Sequence, residues 1–302
     1  SYGFEPFMLK VAPDYPEIQF VGCTNQGSWN DGLDNTHNAF ANIYEGRYLA
    51  GVAAGMKLQQ LIDEGTITAE EAVIGYVAAF PFAEVVSGYT DFYQRAKSVC
   101  PSVTMKVKYV NSWSDAPQEA AAASALDDEG CVLISQHSDN TTPATMAQSK
   151  GAFHTGYNND MTGVAPDASI IGCRIDWTNY FVYAIESVAN GQEFDQDYCY
   201  GYDHGDVVLT ELNEKIAAPG TAEKLAEVEA GLADGSIKVF DTSTFTVGGE
   251  TLTSAFALDT DGDFTPDSEE AVFDGAFHES YFQSAPYFAL TIDGTEWLNS
   301  AF

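Results

Sequence analysis

The chain has 302 residues, of which 45% are hydrophobic, which is enough for one large core or two smaller ones and excludes a disordered chain. Its 45 Asp and Glu against 12 Lys and Arg give a formal net charge of −33, so nucleic-acid backbones and anionic membranes are poor partners. The sequence contains no run of about 18 apolar residues and therefore predicts no membrane span.

The first part of the chain predicts a short helix over 5–12 and a parallel strand over 18–23. Residues 24–38 are a polar, Gly- and Asn-rich interruption, and a long helix follows from about residue 42. One strand ahead of this helix is too few for an open sheet. We therefore expect the first αβ lobe to lack its N-terminal strands. We also expect the chain, which opens at Ser1 without Met, to be a processed form or to lack its N-terminal part.

The long helix carries small residues that allow another element to pack closely against it: Ala50, Gly51, Ala53, Ala54 and Gly55. After it, strands and helices alternate. Strands are predicted over 73–80, 105–110, 131–136, 152–156 and 169–175, and helices over 84–98, 116–129 and 143–150. Apolar strands separated by helices of this length predict βαβ units and a parallel sheet covered on both faces.

The remainder predicts a helix over 180–190, a strand within 205–212, a charged amphipathic helix over 223–233 and short strands with turns from 237 onward. The predicted organisation has four parts. A partial N-terminal lobe covers 1–43 and a second αβ lobe covers 44–176. A return crossing over 177–240 gives a helix to the first lobe and supplies a further strand and helix. A β-rich C-terminal extension covers 241–302.

Five cysteines show no C-x-x-C metal spacing and are too few for a disulfide scaffold: Cys23, Cys100, Cys131, Cys173 and Cys199. Cys100 and Cys131 both precede predicted strands at the same end of a sheet, so they form the preferred disulfide pair. Buried free thiols are the alternative for each of them.

The carboxyl ends of the predicted central strands carry aromatic rings beside amides and carboxylates. Ligands bind open parallel sheets beyond these ends, at a topological switch point. The candidate pocket residues there are Phe80, Trp113, His137, Asp139, Asn158, Asp160 and Trp177. Such a rim suits a flat ring with polar edges, held by stacking and hydrogen bonds. The alternatives are that the tryptophans plug the edge of the lobe and that the two aspartates cap the segments after them.

Residues 259–270 place acids at the spacing of an EF-hand calcium loop: Asp259, Asp261, Asp263, Asp267 and Glu270. Phe264 stands where that loop needs Gly, and no helices flank it, so an acidic β-turn is favoured over a metal site. His137 and Asp139 lack a nucleophile or a third metal ligand. The chain also lacks GxSxG, GxxxxGK[ST], HExxH and GxGxxG motifs, so we predict neither catalytic residues nor a cofactor.

Several blocks resemble, in order, the basic membrane protein (BMP) family, the purine-nucleoside-receptor-like substrate-binding lipoproteins of ABC transporters. The blocks are NIYEGRYLAGVAAG, IGYVAAFPFAEVVSGYTDF, VKYVNSWSDAPQEAAAASAL, VLISQHSDNTTPA, GYNNDMTGVAPDASIIGCRIDWTNYF and GDVVLTEL. The resemblance runs from residue 1 to about 240. It implies an α/β, type I periplasmic-binding-protein fold with two parallel-sheet lobes, a three-segment hinge and a ligand trapped between the lobes.

The resemblance further implies a monomeric, lipid-anchored protein at the cell surface or in the periplasm that delivers a purine base, nucleoside or similar heterocycle to an ABC permease. It adds Tyr2 and Gly3 to the pocket. Asn158 stands where sugar-binding relatives of this fold often have Asp. This difference favours a purine base or another heterocycle over a ribose-requiring nucleoside as the ligand. The alternatives are a ligand sensor that signals through a membrane receptor, and an enzyme that uses His137 and Asp139.

Overall fold

The computed structural model of the protein describes residues 3–24, 31–193, 195–260 and 265–299. Its helices are α1 (Glu5–Val11), α2 (Ile43–Asp63), α3 (Ala83–Val99), α4 (Ala116–Asp128), α5 (Thr142–Lys150), α6 (Thr178–Asn190) and α7 (Thr221–Ala233). Its strands are β1 (Phe20–Gly22), β2 (Thr36–Ala41), β3 (Val73–Ala78), β4 (Thr104–Tyr109), β5 (Leu133–His137), β6 (Phe153–Tyr157), β7 (Ser169–Ile175), β8 (Asp197–Tyr200), β9 (Val207–Leu209), β10 (Phe256–Leu258), β11 (Ser268–Glu270), β12 (Val272–Phe273), β13 (Ala276–Phe277) and β14 (Thr295–Trp297). None of the helices in these ranges is long and apolar enough to cross a membrane.

The second lobe is built on a seven-stranded sheet in the order β14-β4-β3-β5-β6-β7-β9, in which only β9 runs antiparallel to its neighbour. Side chains of β3 alternate between its two faces, as the period of a strand requires. Ile74 and Tyr76 join the core beneath α2 and α3, whereas Val77 joins the core beneath α4. The predicted parallel sheet with helices on both faces is therefore present.

The helices α2 and α3 pack closely because glycines of α2 face the backbone of α3. A Cβ at Gly55 would lie 2.6 Å from the Ala96 carbonyl oxygen, a distance that no side chain can occupy. The small residues predicted to allow close packing therefore do so, and they seat α2 deep against the second lobe.

The first lobe has a three-stranded parallel sheet in the order β1-β2-β8. Ala39 of β2 and Tyr198 of β8 pack against Tyr180 and Ala184 of α6, which covers one face of this sheet. The chain thus returns from the second lobe and adds α6 and β8 to the first one.

The prediction of one strand before the long helix was wrong, because the segment read as an interruption ends in β2, which starts at Thr36. The strand β8 was also missed. The strand β2 contains buried polar side chains, and these are paired: His37 lies 2.7 Å from the Gln19 amide oxygen, and Asn38 donates to the Asp197 carboxylate of β8 at 2.8 Å. Burial of such groups is tolerated when they are hydrogen-bonded.

Three crossings join the two sheets in the described part of the chain, and hydrogen bonds fasten them together. The first runs from β2 into α2, the second from β7 into α6, and the third from β8 to β9. The Glu45 carboxylate at the start of α2 accepts from the backbone N–H of Tyr202 in the third crossing at 2.7 Å. The backbone N–H of Asp176 in the second crossing donates to the Asp206 carbonyl in the third at 2.8 Å.

The segment after residue 240 touches both lobes. Its last strand, β14, adds to the edge of the seven-stranded sheet beside β4. Phe277 and Phe288 pack into the core shared with α2 and α3. Ser284 hydrogen-bonds with Asp197 and accepts from the Asn38 amide, both in the first-lobe sheet. The extension is therefore integrated with both sheets.

The preferred disulfide between Cys100 and Cys131 does not form, and none of the five cysteines is in a disulfide. Cys100 ends α3 and lies in the core on one face of the large sheet, whereas Cys131 lies in the core beneath α4 on the other face. Proximity along one end of the sheet was thus misleading, because the sheet itself separates the two thiols.

Titration of thiols tests this arrangement. Denatured, unreduced protein should give five reactive thiols with a chromogenic disulfide reagent, whereas a Cys100–Cys131 disulfide would leave three. In native protein Cys131 should react slowly, because burial raises the pKa of its thiol to about 12 and the thiolate is the reactive form.

The titration of Glu45 tests the buried position of its carboxyl group at the crossings. Burial raises the pKa of Glu45 to about 7, although the Tyr202 N–H opposes the shift. Between about pH 4.5 and pH 7 the unfolded chain releases this proton while the folded chain keeps it, so wild-type stability should fall as pH rises. Glu45→Gln keeps a hydrogen-bond acceptor but does not titrate. In urea denaturation, the free energy of unfolding of this variant relative to the wild type should therefore rise by up to about 3 kcal/mol between pH 5 and pH 8. A constant difference would contradict the assignment.

Candidate functional site

A cavity of about 490 Å³ lies at the carboxyl ends of strands from both sheets. Its lining comes from the first lobe, the second lobe and the crossings: Cys23, Thr24, Phe40, Glu84, Trp113, Asp139, Tyr157, Asn158, Ile175 and Trp177. Aromatic rings and polar groups share this wall. A cleft of this size and composition suits a small organic ligand.

Four of the predicted pocket residues line the cavity together, namely Trp113, Asp139, Asn158 and Trp177. The backbone N–H of Asp139 donates to the Trp113 carbonyl at 2.7 Å, which joins the loops after β4 and β5. The Asn158 amide donates to the Asp139 carboxylate at 3.4 Å, which joins the loops after β5 and β6. The rim predicted from the strand ends therefore exists as a connected set of loops.

The backbone at Asn158 explains why an amide stands at this position. Its φ is 60°, in the left-handed region where Asn is among the few residues other than Gly found regularly. Its N–H donates to the Cys173 carbonyl at 2.8 Å, so the turn stays attached to β7. This conformation holds Asn158 at the wall of the cavity.

Four other predicted residues lie outside the cavity wall, and Tyr2 lies outside the described residues. Phe80 packs behind Trp113, with ring centroids 5.8 Å apart. His137 is fully buried beneath Tyr157, with ring centroids 3.9 Å apart. Asp160 is exposed and accepts from the N–H and hydroxyl of Thr162, which is the local capping role considered as its alternative. Gly3 lies in an exposed turn with a φ of 87°.

Sequence reasoning missed Glu84, Tyr157 and Phe40 among the lining residues. Glu84 stands in the first turn of α3, only a few residues after β3, and this position on the same rim was the available indication. Tyr157 ends β6 directly before Asn158. Phe40 could not be found because β2 had not been recognised as a strand.

Beneath the cavity, the fully buried Arg47 of α2 reaches three strands of the large sheet. Its guanidinium donates to the Gly156 carbonyl at 2.8 Å, to the Tyr76 hydroxyl at 3.0 Å and to the Ser135 hydroxyl at 2.7 Å. It also lies 5.8 Å from the centroid of the Tyr157 ring, within the range of a cation–π interaction. Arg47 therefore supports the floor of the cavity from the side of the crossing helix.

Among the residues that the structure describes, no group of three or more His, Cys, Asp or Glu is arranged to hold a metal ion. Asp261 and Asp263 of the calcium-like loop lie outside those residues. Asp267 accepts from Thr260, and Glu270 accepts from Ser254 and Ala255. The strands β10 and β11, which lie on either side of residues 259–267, pair antiparallel.

Comparison with known proteins gives consistent matches. The family model described as "ABC transporter substrate-binding protein PnrA-like" matches residues 1–237. A purine-binding protein of Brucella abortus is 32% identical over 80% of this chain and 64% of its own length. A putative ABC transporter glucose-binding protein of Haloferax volcanii is 32% identical over 81% of this chain and 59% of its own length. The chain thus spans about three fifths of these relatives.

Among solved structures, an ABC transporter solute-binding protein from Aeropyrum pernix K1 superposes with a TM-score of 0.64 at 17% identity, over 80% of this chain and 75% of that chain. This likeness confirms the solute-binding-protein fold expected from the sequence. The family resemblance drawn from the sequence blocks is confirmed as well.

Replacing Arg47 by Met should lower the free energy of unfolding by about 1–3 kcal/mol, because buried neutral acceptors on three strands lose their donor. The measurement is urea denaturation followed by fluorescence. The matched control is Lys215→Met, which removes an exposed ion pair with Asp167 and should change stability by no more than about 0.5 kcal/mol. Equal effects of the two substitutions would contradict a structural role for Arg47.

Proposed function

The chain belongs to the PnrA-like family of ABC transporter substrate-binding proteins, and we propose that it captures a purine base, a purine nucleoside or a similar heterocycle between its two lobes for uptake. In this proposal the protein acts outside the cytoplasm, hands its ligand to a membrane permease and catalyses no reaction. The observation that carries the proposal is the cavity, whose wall is shared by both lobes and the crossings.

The composition of the wall supports a flat heterocycle. Trp113 and Trp177 are the partly exposed aromatic side chains of the wall available for stacking, and the buried Tyr157 and Phe40 add apolar surface to it. Asp139 and Asn158 offer carboxylate and amide groups that match the hydrogen-bonding edge of a purine. The Brucella abortus relative is named as purine-binding, which agrees with this ligand class.

A hexose is the second candidate ligand. Two carboxylates, Glu84 and Asp139, flank Trp113 in the same wall. Carboxylates accept hydrogen bonds from sugar hydroxyls, and an indole face packs against the apolar face of a pyranose ring. The Haloferax volcanii relative is named as a putative glucose-binding protein, so glucose belongs in any binding screen.

Capture would proceed by closure of the two lobes about the three crossings. Cys23 and Thr24, which follow β1, and Phe40 of β2 line one side of the cavity, and residues of the second lobe line the other. A ligand that touches both sides binds the closed arrangement better than the open one and therefore shifts the population toward it.

Isothermal titration with adenine, adenosine, guanosine and glucose tests the ligand class. We expect saturable binding of at least one probe without turnover. Trp113→Ala and Trp177→Ala should each weaken that binding by about 5- to 150-fold, because stacking on an aromatic face contributes roughly 1–3 kcal/mol.

The matched control is Trp297→Ala, which removes an indole from β14 at the far edge of the large sheet, where it donates to the Tyr89 hydroxyl. Its affinity for the same probe should equal that of the wild type. Unchanged affinity in both cavity variants would refute the placement of the site, and chemical conversion of a probe would refute a purely binding role.

A further inference from the structure

We propose that Glu84 is the fixed anionic anchor of this pocket, which accepts a hydrogen bond from an N–H or O–H group of the ligand or pairs with a cationic group, and that the site thereby rejects ligands carrying a negative charge. The inference rests on the proposed function and deepens it. It assigns a specificity-determining residue and a chemical class of ligand.

Glu84 reaches the cavity from the first turn of α3. The Tyr157 hydroxyl donates to its Oε1 at 3.2 Å, so one oxygen is held by the floor of the pocket. Within the described part of the chain, no residue donates to Oε2. The side chain is 16% exposed, and the surface that remains exposed opens on the cavity.

A chain of hydrogen bonds determines which ring nitrogen of His137 carries a proton near Glu84 Oε1. Arg47 donates to the Tyr76 oxygen at 3.0 Å, so the one hydroxyl proton of Tyr76 is available for His137 Nδ1, 3.2 Å away. His137 then carries its proton on Nε2, which lies 3.8 Å from Glu84 Oε1. Burial lowers the pKa of His137, which agrees with a neutral ring that has one N–H.

The Tyr157 hydroxyl therefore donates a hydrogen bond to Oε1, and His137 Nε2 lies near the same oxygen at 3.8 Å, beyond hydrogen-bond distance. This arrangement orients Glu84 before any ligand arrives and leaves the lone pairs of Oε2 for the ligand. A preorganised acceptor of this kind binds a donor without the entropy cost of ordering the side chain. Charge-assisted hydrogen bonds are also roughly twice as strong as neutral ones.

The charges around the cavity select against anions. Its described lining contains the carboxylates of Glu84 and Asp139 and no Lys, Arg or His. The guanidinium of Arg47 lies beside the Tyr157 ring and donates to Gly156, Tyr76 and Ser135. A phosphate or carboxylate group entering the cavity would meet two like charges and no cationic donor. The ligand class is thus a neutral or cationic ring with N–H or O–H donors.

The test compares wild type with Glu84→Gln in isothermal titrations with adenine, adenosine, guanosine and glucose, and with adenosine monophosphate and glucuronate as anionic probes. Wild type should bind at least one neutral probe and should bind its anionic counterpart at least about tenfold more weakly. Glu84→Gln should weaken binding of the neutral probe by at least about tenfold. Glu84→Asp, which keeps the charge and retracts it, should also lose affinity while still rejecting the anionic probe.

The matched control is Glu229→Gln, because Glu229 accepts from a tyrosine hydroxyl, that of Tyr202, outside the cavity lining. It should bind like wild type, and thermal melting should show that all variants are folded. Binding that survives Glu84→Gln within about twofold, or wild-type binding of an anionic probe as tight as its neutral counterpart, would overturn the inference alone. Absence of wild-type binding to every probe would overturn the proposed function and the inference with it.

Discussion

The burial of the Arg47 guanidinium is the constraint on which the pocket depends. A charge removed from water is costly unless its donors are satisfied, and the guanidinium of Arg47 is fully buried. Its compensation comes from neutral acceptors at one level of three strands, Tyr76, Ser135 and Gly156, and from the rings of Phe92 and Tyr157. The ends of these three strands, which carry residues of the pocket, are thereby held at the same level of the sheet.

Arg47 also joins the hinge to the site. It lies one turn into α2, the helix that begins directly after the last residues of β2. The same side chain reaches the tyrosine that stacks on His137 and donates to Glu84. A short series of direct contacts thus connects the start of α2 with the floor of the cavity.

The sequence predicted those parts of the fold in which the local pattern of apolar and polar residues reflects burial. The apolar strands β3 to β7 and the helices between them follow from periodicity, and the rule for strand ends brought Trp113, Asp139, Asn158 and Trp177 to one cavity. The strand β2 was hidden, because the amide of the buried Asn38 donates to partners 159 and 246 residues away. Glu84 likewise acquires its orientation from Tyr157, 73 residues along the chain. Hydrogen bonds at such separations leave no local pattern to detect.

The attachment of the C-terminal segment to both lobes bears on how far the lobes can part. Ser284 is fixed to the first-lobe sheet, and β14 begins at Thr295 on the edge of the second. The ten residues between these two points make eleven Cα–Cα steps and can extend to at most about 40 Å, since a stretched chain spans roughly 3.6 Å per residue. While both attachments hold, the length of this segment limits how far the two sheets can separate. The widest opening of the cleft is therefore set by the covalent chain as well as by the hinge.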